Sequence, residues 1–372
     1  MVIGRQKMFF RTYRFTKLVF SLIGLILFFG CGNEPGKISE VKETTAQKKK
    51  NRTLIVYNWE EYIGSKTFEN FENETGIHVK EIIFKDEEEM LGAAQSNPGA
   101  YDLVVASDDV VRELLQVKLL ARLDLSKIPN IKHIDANYLY RVCDPEQQYT
   151  IPYLYGTTGM VVNKKYIKEG ADSWKVLFDK KYKGKLAMLN NPWEVLAAAS
   201  KIRGNSININ TQEELNSAME MVLEQKSLLQ GYLDVIAMKK LLIEEKLWAA
   251  QMYSGEGLAA VDENENLEYV IPKEGAALWV DNFVLLRDAQ NKEEAHIFLN
   301  YILRPEVNAS IASELWYATP NKAAMPLMDE QVTKSPSVFP TQEIVSRCEF
   351  WNDTGDLAPK ISLAWSEQIA RN

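Results

Sequence analysis

From residue 53 onward the chain alternates short apolar runs with longer stretches of helical periodicity. Leu54-Ile55-Val56-Tyr57 reads as a strand. Gly64-Ser65 then opens a helical stretch carrying Phe68 and Phe71, and Thr75-Gly76 closes it with a glycine suited to a left-handed C-cap. Residues 77–83 alternate as a strand, 87–95 are helical, and 101–106 form a buried-strand run ending at the N-cap pair Ser107-Asp108. This order predicts βαβ units and a largely parallel sheet. A second series begins near 160–163 and runs through Trp174-Lys175-Val176-Leu177 and a strand-like 185–189. Helices follow over 194–203, 211–225 and 236–246, then strands over 267–271 and 278–286, and a helix over 292–303. No internal repeat is visible, and the simplest architecture is two α/β lobes with a cleft between them.

The first 51 residues do not share this pattern. Arg5, Lys7, Arg11, Arg14 and Lys17 precede an apolar run from Leu18 to Gly30 in which only Ser21 is polar. That run is shorter than the roughly 20 residues a membrane span needs, and it fits the roughly 7–15 residue apolar core of a signal peptide. Leu27-Phe28-Phe29-Gly30-Cys31 is similar to a bacterial lipobox, with Phe29 where a small residue is usual and Leu27 one place early. Residues 1–30 are therefore expected to be a signal peptide and Cys31 a lipid anchor. Residues 31–51, rich in Lys, Glu and Thr with no aromatic residue, are expected to be a flexible tether spanning roughly 25 Å.

Without residues 1–30, the chain carries 38 Lys and Arg against 51 Asp and Glu, a net charge of −13. No basic stripe with interleaved aromatics is visible, so nucleic acid is not expected as a partner. Cys143 and Cys348 remain as thiols, and an extracytoplasmic setting permits a disulfide between them. The three histidines, His78, His133 and His296, are not paired at ligand spacing. No C-x-x-C, H-E-x-x-H, G-x-S-x-G or phosphate-cradling glycine loop occurs. No cofactor, metal or catalytic residue is expected, although a hydrolase using two carboxylates needs no such motif.

The chemistry that stands out is Tyr57-Asn58-Trp59-Glu60-Glu61-Tyr62, which crowds rings and carboxylates at the carboxyl end of a strand, where open α/β sheets bind ligands. Rings attract cations through their quadrupole and carboxylates through charge, so the segment suggests an organic cation. A strand-end loop with packed rings and solvated acids has the same composition.

Several stretches in order resemble the bacterial spermidine/putrescine-binding proteins, the receptors of polyamine ABC importers. They are the Tyr57–Tyr62 motif, Tyr101-Asp102-Leu103-Val104-Val105, Ile151-Pro152-Tyr153-Leu154-Tyr155-Gly156-Thr157 and Tyr182-Lys183-Gly184-Lys185. Further along come Ile271-Pro272-Lys273-Glu274-Gly275, Trp279-Val280-Asp281 and Tyr317-Ala318-Thr319-Pro320-Asn321. The resemblance implies an α/β, two-lobed periplasmic-binding-protein fold of type II. It implies lobe 1 over 52–157 and 280–326, lobe 2 over 158–279 and 327–372, crossing hinge strands between them, and closure by hinge motion. It implies a monomeric receptor for putrescine or spermidine, delivering its ligand to a membrane permease.

By position, the resemblance makes Trp59 and Tyr62 walls of the site. Trp279 stacks along the ligand, Asp281 pairs with one nitrogen, Glu194 holds a terminal ammonium, and Tyr253 and Tyr317 complete the aromatic box. Tyr253 stands where tryptophan is common. Asn191 replaces a frequent aspartate, Asp109 lies where an aromatic or serine is usual, and Trp351 lies near a common glutamine; all three are expected to line the pocket. The same fold with another small cation, a carboxylate-dependent hydrolase, and a surface adhesin are the alternatives.

Overall fold

The computed structural model describes residues 52–352 and 357–369. The expected signal peptide, the Cys31 anchor and the tether over 31–51 all lie outside the described residues. The elements follow in the order β1 Thr53–Trp59, α1 Thr67–Thr75, β2 His78–Phe84, α2 Glu87–Ser96, β3 Leu103–Ser107, α3 Asp108–Gln116 and the long β4 Thr150–Asn163. Then come β5 Leu186–Leu189, α4 Pro192–Ile202, α5 Gln212–Lys226, β6 Leu229–Leu233, α6 Val235–Ile243, β7 Ala249–Tyr253, α7 Ser254–Glu263 and β8 Leu267–Val270. The series closes with β9 Ala277–Leu285, α8 Lys292–Ile302, α9 Pro305–Leu315, the two-residue β10 Glu349–Phe350 and a helix over Ala358–Gln368.

The strands join in the order β2-β1-β3-β9-β4-β7-β5-β6, with β8 on β4 and β10 on β9. β1 is parallel to β2 and β3, and β5 is parallel to β6 and β7. The centre is different: β9 is antiparallel to β3 and β4, and β4 is antiparallel to β7 and β8. The largely parallel sheet expected from the βαβ pattern is thus two parallel ends joined by an antiparallel middle. That pattern marks helical crossovers well, but it is blind to β4 and β9, whose antiparallel partners lie far away in the sequence.

β9 is the longest fully buried strand among the described residues, with all nine residues of Ala-Leu-Trp-Val-Asp-Asn-Phe-Val-Leu out of solvent. A strand covered on both faces is expected to be apolar throughout, so Asp281 at its middle is the exception to explain. β4 is equally inaccessible over most of its length and shifts register against β9 between Pro152 and Leu154. Apolar cores flank the central pair. One gathers Leu54, Phe71, Tyr153, Phe283 and Phe298, another Trp174, Leu186, Met188, Val222 and Trp365, and a third Tyr57, Phe84, Met90, Val104 and Leu114.

Local signals are met at several places. Gly76 takes φ 68° as the C-cap of α1, its N–H donating to the Glu72 carbonyl at 2.8 Å. A Cβ there meets nothing within 4 Å, so the only penalty for a side chain is the left-handed backbone. Gly76→Ala should lower stability by about 1 kcal/mol, measured by urea unfolding, with the m-value unchanged. Ser107 occupies the N-cap of α3 as expected, yet its hydroxyl does not cap; it donates to Glu87 Oε1 at 3.1 Å. The disulfide does not form. Cys143 and Cys348 are both free; Cys143 Sγ donates to Asp108 and Cys348 Sγ to the Ile344 carbonyl, each at 3.4 Å.

Candidate binding site

Side chains two apart on a strand share a face, which places Trp279 and Asp281 together on β9. Asp281 accepts from the Tyr62 hydroxyl at 2.8 Å. Tyr62 lies three residues beyond β1 and is itself held by the Tyr153 hydroxyl, which donates to its carbonyl at 3.1 Å. The Tyr62 ring meets Tyr153 and Tyr317 edge-on at 5.7 and 5.5 Å between centroids. Trp279 meets Tyr317 at 5.2 Å and Tyr253 at 6.0 Å, again nearly perpendicular. Edge-to-face rings of this kind form a rigid aromatic wall. The wall depends on Gly156, which lies opposite Trp279 in β4: a Cβ there would stand 2.6 Å from the indole ring.

Glu194 comes from the other end of the sheet. Asn191 caps α4, its side-chain oxygen accepting from the Trp193 and Glu194 N–H groups at 3.0 and 3.4 Å, and Pro192 starts the helix. Glu194 therefore sits in the first turn, and its carboxylate is nearly inaccessible at 5% exposure. It accepts from the Thr158 hydroxyl at 2.9 Å and from the Trp351 side chain. Gln251 fixes the same turn by donating to the Glu194 carbonyl at 2.8 Å. Asn191 also bonds the Tyr253 side chain. The residue expected to be a neutral ligand contact thus positions two of its neighbours.

The electrostatics of this assembly are unusual. Burial, against the Tyr62 hydrogen bond and with added repulsion from Asp109, Asp108 and Glu256, pushes the Asp281 carboxyl up to about 7. Burial pushes Glu194 up to about 8, although Thr158 and Trp351 pull it down; Asp109 adds to the rise. Asp109 is raised, chiefly by burial, and Glu87 is driven well above the carboxylate range by burial and by Asp109. Among the described residues none of these four acids forms an ion pair within 4.0 Å, whereas the neighbouring Asp108 is paired with Arg141 and accepts from Asn282 at 2.9 Å. Uncompensated carboxylates in a desolvated site are costly unless a cation arrives. Asp109, Trp279 and Trp351 also border one small cavity with Asp108 and Phe350. Among the described residues, no cluster of three or more His, Cys, Asp or Glu is arranged to hold a metal ion.

The motif Tyr57–Tyr62 divides. Tyr57 is a core residue stacked on Tyr101 at 4.1 Å, Asn58 donates to Glu81 at 2.9 Å, and Trp59 is half-buried against Phe84 at 4.4 Å. Tyr62 alone joins the Trp279–Tyr317 wall through ring contacts. Glu61 pairs with Lys239 at 2.6 Å. Sequence reasoning passed over Glu87, Thr158, Glu256 and Lys239. Glu87 belongs to the run Asp86-Glu87-Glu88-Glu89, which the helix dipole alone accounts for, so no local signal separates it.

The chain matches the family described as bacterial extracellular solute-binding protein over residues 66–341. It is 32% identical over 317 residues to the spermidine/putrescine-binding periplasmic protein of Salmonella typhimurium, covering 84% of this chain and 90% of that one. The Escherichia coli putrescine-binding periplasmic protein PotF is 32% identical over 313 residues, covering 79% and 84%. Among solved structures, an ABC transporter protein from Listeria monocytogenes superposes with a TM-score of 0.82 at 30% identity, covering 86% of this chain and all of that one. The α/β architecture with its shared central strands is accordingly the two-lobed fold of such receptors, as the resemblance implied. This chain belongs to the bacterial extracellular solute-binding proteins.

Proposed function

We propose that this protein is the extracytoplasmic receptor of an ABC importer for polyamines, binding putrescine, spermidine or a close relative between its two lobes and presenting it to a membrane permease. One observation carries the reading: Asp281 and Glu194 are buried carboxylates, contributed from different parts of the sheet, with an aromatic wall between them and, among the described residues, no cation paired with either. A polyamine is an aliphatic rod with separated ammonium groups. The acids suit its ends, and Tyr62, Tyr253, Trp279 and Tyr317 suit its methylenes and the faces of its nitrogens. Asp109 and Trp351 extend the pocket, Trp59 forms its outer rim, and Asn191 acts by holding Glu194 and Tyr253.

The lobes are taken as residues 52–157 with 280–326, and 158–279 with 327–372, so that β4 and β9 are the hinge strands. The sheet supports this division, because β9 pairs with β3 over Leu103–Ser107 while the later part of β4 pairs with β7 and β8. Lipidation at Cys31 would keep this receptor at a membrane, and the family resemblance supports action as a monomer without catalysis.

Calorimetry against diamines, triamines, amino acids, sugars and guanidinium compounds tests the assignment. Saturable binding of a polyamine near micromolar Kd, about −8 kcal/mol, is expected; binding of no polyamine sinks it. Trp351→Phe removes a donor to Glu194 while keeping an aromatic ring, and should weaken binding by about 1 kcal/mol. Titration of that variant beside the parent protein measures the difference.

A further inference from the structure

One acidic group at the site already has a cation. Lys239 on α6 pairs with Glu61 Oε2 at 2.6 Å, and its side chain is only 18% exposed although its partner is 56% exposed. Glu61 adopts φ 55° in the segment leaving β1. α6 packs on α7, whose first turn carries Glu256, and Glu256 accepts a hydrogen bond from the Tyr317 hydroxyl. Tyr317 is part of the aromatic wall, in contact with both Tyr62 and Trp279. Burial raises Glu256; the Tyr317 hydrogen bond and the Lys239 charge pull it back, and Glu61 pushes it up again. Lys239 therefore pairs with Glu61 and, through its charge, also favours the ionised form of Glu256, the acid bonded to Tyr317.

The contrast with the other end is chemical. Asp281, Glu194, Asp109 and Glu87 carry no ion pair among the described residues, while Glu61 is paired with an ammonium on a four-carbon stem whose charge also lowers Glu256. That stem and charge are the chemistry of half a polyamine. We propose that Lys239 is a specificity-determining residue: a tethered counter-cation that fills the ammonium position formed by Glu61, Glu256 and Tyr317, and so limits the length and charge of the ligand the cleft accepts. The inference rests on the polyamine reading of the site.

Removing the tethered charge should open that position to a further ligand nitrogen. Calorimetric Kd values for putrescine, spermidine and spermine, measured at one salt concentration on the parent protein, Lys239→Met and Lys239→Arg, test this. In Lys239→Met the Kd ratio of putrescine to spermine should move at least 10-fold in favour of spermine; Lys239→Arg should keep the parental ratio. Adding Glu256→Gln to Lys239→Met should abolish the gain. Lys239→Gln serves as the second neutral variant if the methionine variant does not fold. An unchanged ratio in the neutral variants, with affinities kept or lowered equally for all three ligands, overturns the proposal and leaves the ion pair as a latch between the lobes. Failure of the parent protein to bind any of the three overturns the polyamine reading itself.

Discussion

Asp281→Asn should weaken polyamine binding by about 2–4 kcal/mol and, without ligand, make the protein more stable. The two effects have one origin. In the bound state the carboxylate faces an ammonium, and asparagine leaves that ammonium buried without its charge partner. In the free state the carboxylate is an uncompensated acid on a fully buried strand, repelled by Asp109, Asp108 and Glu256. Asparagine removes the charge and keeps an oxygen to accept from Tyr62. Glu194→Gln should behave alike, because glutamine keeps an oxygen to accept from the Thr158 hydroxyl. Denaturant unfolding without ligand and calorimetry with it measure both halves. An acid whose removal weakened binding and also destabilised the free protein would be a structural group, and the site assignment would fall.

Binding should tighten steeply as pH rises from 6 to about 8, with protons released. A carboxyl raised above its unfolded value holds its proton longer in the folded state, so the ligand-free protein binds more protons than the unfolded chain between about pH 4 and the folded values. Its stability from these groups is therefore fully present below the unfolded carboxyl range and is lost as pH rises through about 7 for Asp281 and about 8 for Glu194. Thermal unfolding without ligand should show a falling Tm across pH 5 to 9. The ligand reverses the balance by stabilising the ionised forms, so at pH 6 its binding should release close to two protons, and log Kd should fall by up to about two per pH unit. Calorimetry in buffers of different ionisation enthalpy counts the protons. An affinity flat from pH 6 to 8 would exclude Asp281 and Glu194 as the ligand's charge partners.

The legible parts of the fold were those with local physics. β1, α1 and β2 follow from apolar periodicity and a glycine cap, and β9 from an apolar run interrupted only by Asp281 and Asn282. β4 was read only in its last residues, because Pro152, Gly156 and Gly159 interrupt its pattern; its length is imposed by β9, β7 and β8 on either side. The helix α7 begins Ser254-Gly255-Glu256-Gly257, a composition that favours a turn, and packing on α6 overrides the propensity. In the site, Trp279-x-Asp281 was visible because a carboxylate interrupts a buried strand, and Glu194 because the order of motifs placed it. Glu87 and Lys239 were not visible. Each looks like an ordinary helix-surface charge until the crossing of the sheet brings it beside other acids, Glu87 near Asp109 and Lys239 onto Glu61.

That crossing has a consequence for anyone wishing to cut the protein apart. β4 and β9 pair from Thr150 opposite Val284 to Thr158 opposite Ala277, broken only by the register shift between Pro152 and Leu154, and each also supplies neighbours to strands on both sides. Neither lobe owns its central strands. A fragment ending between the lobes would expose two long apolar strand edges, the geometry that recruits other chains into aggregates. Ligand sensors made by splitting this receptor should therefore be divided at surface turns far from the hinge and reassembled with both strands entire, and the intact chain should unfold in a single cooperative step.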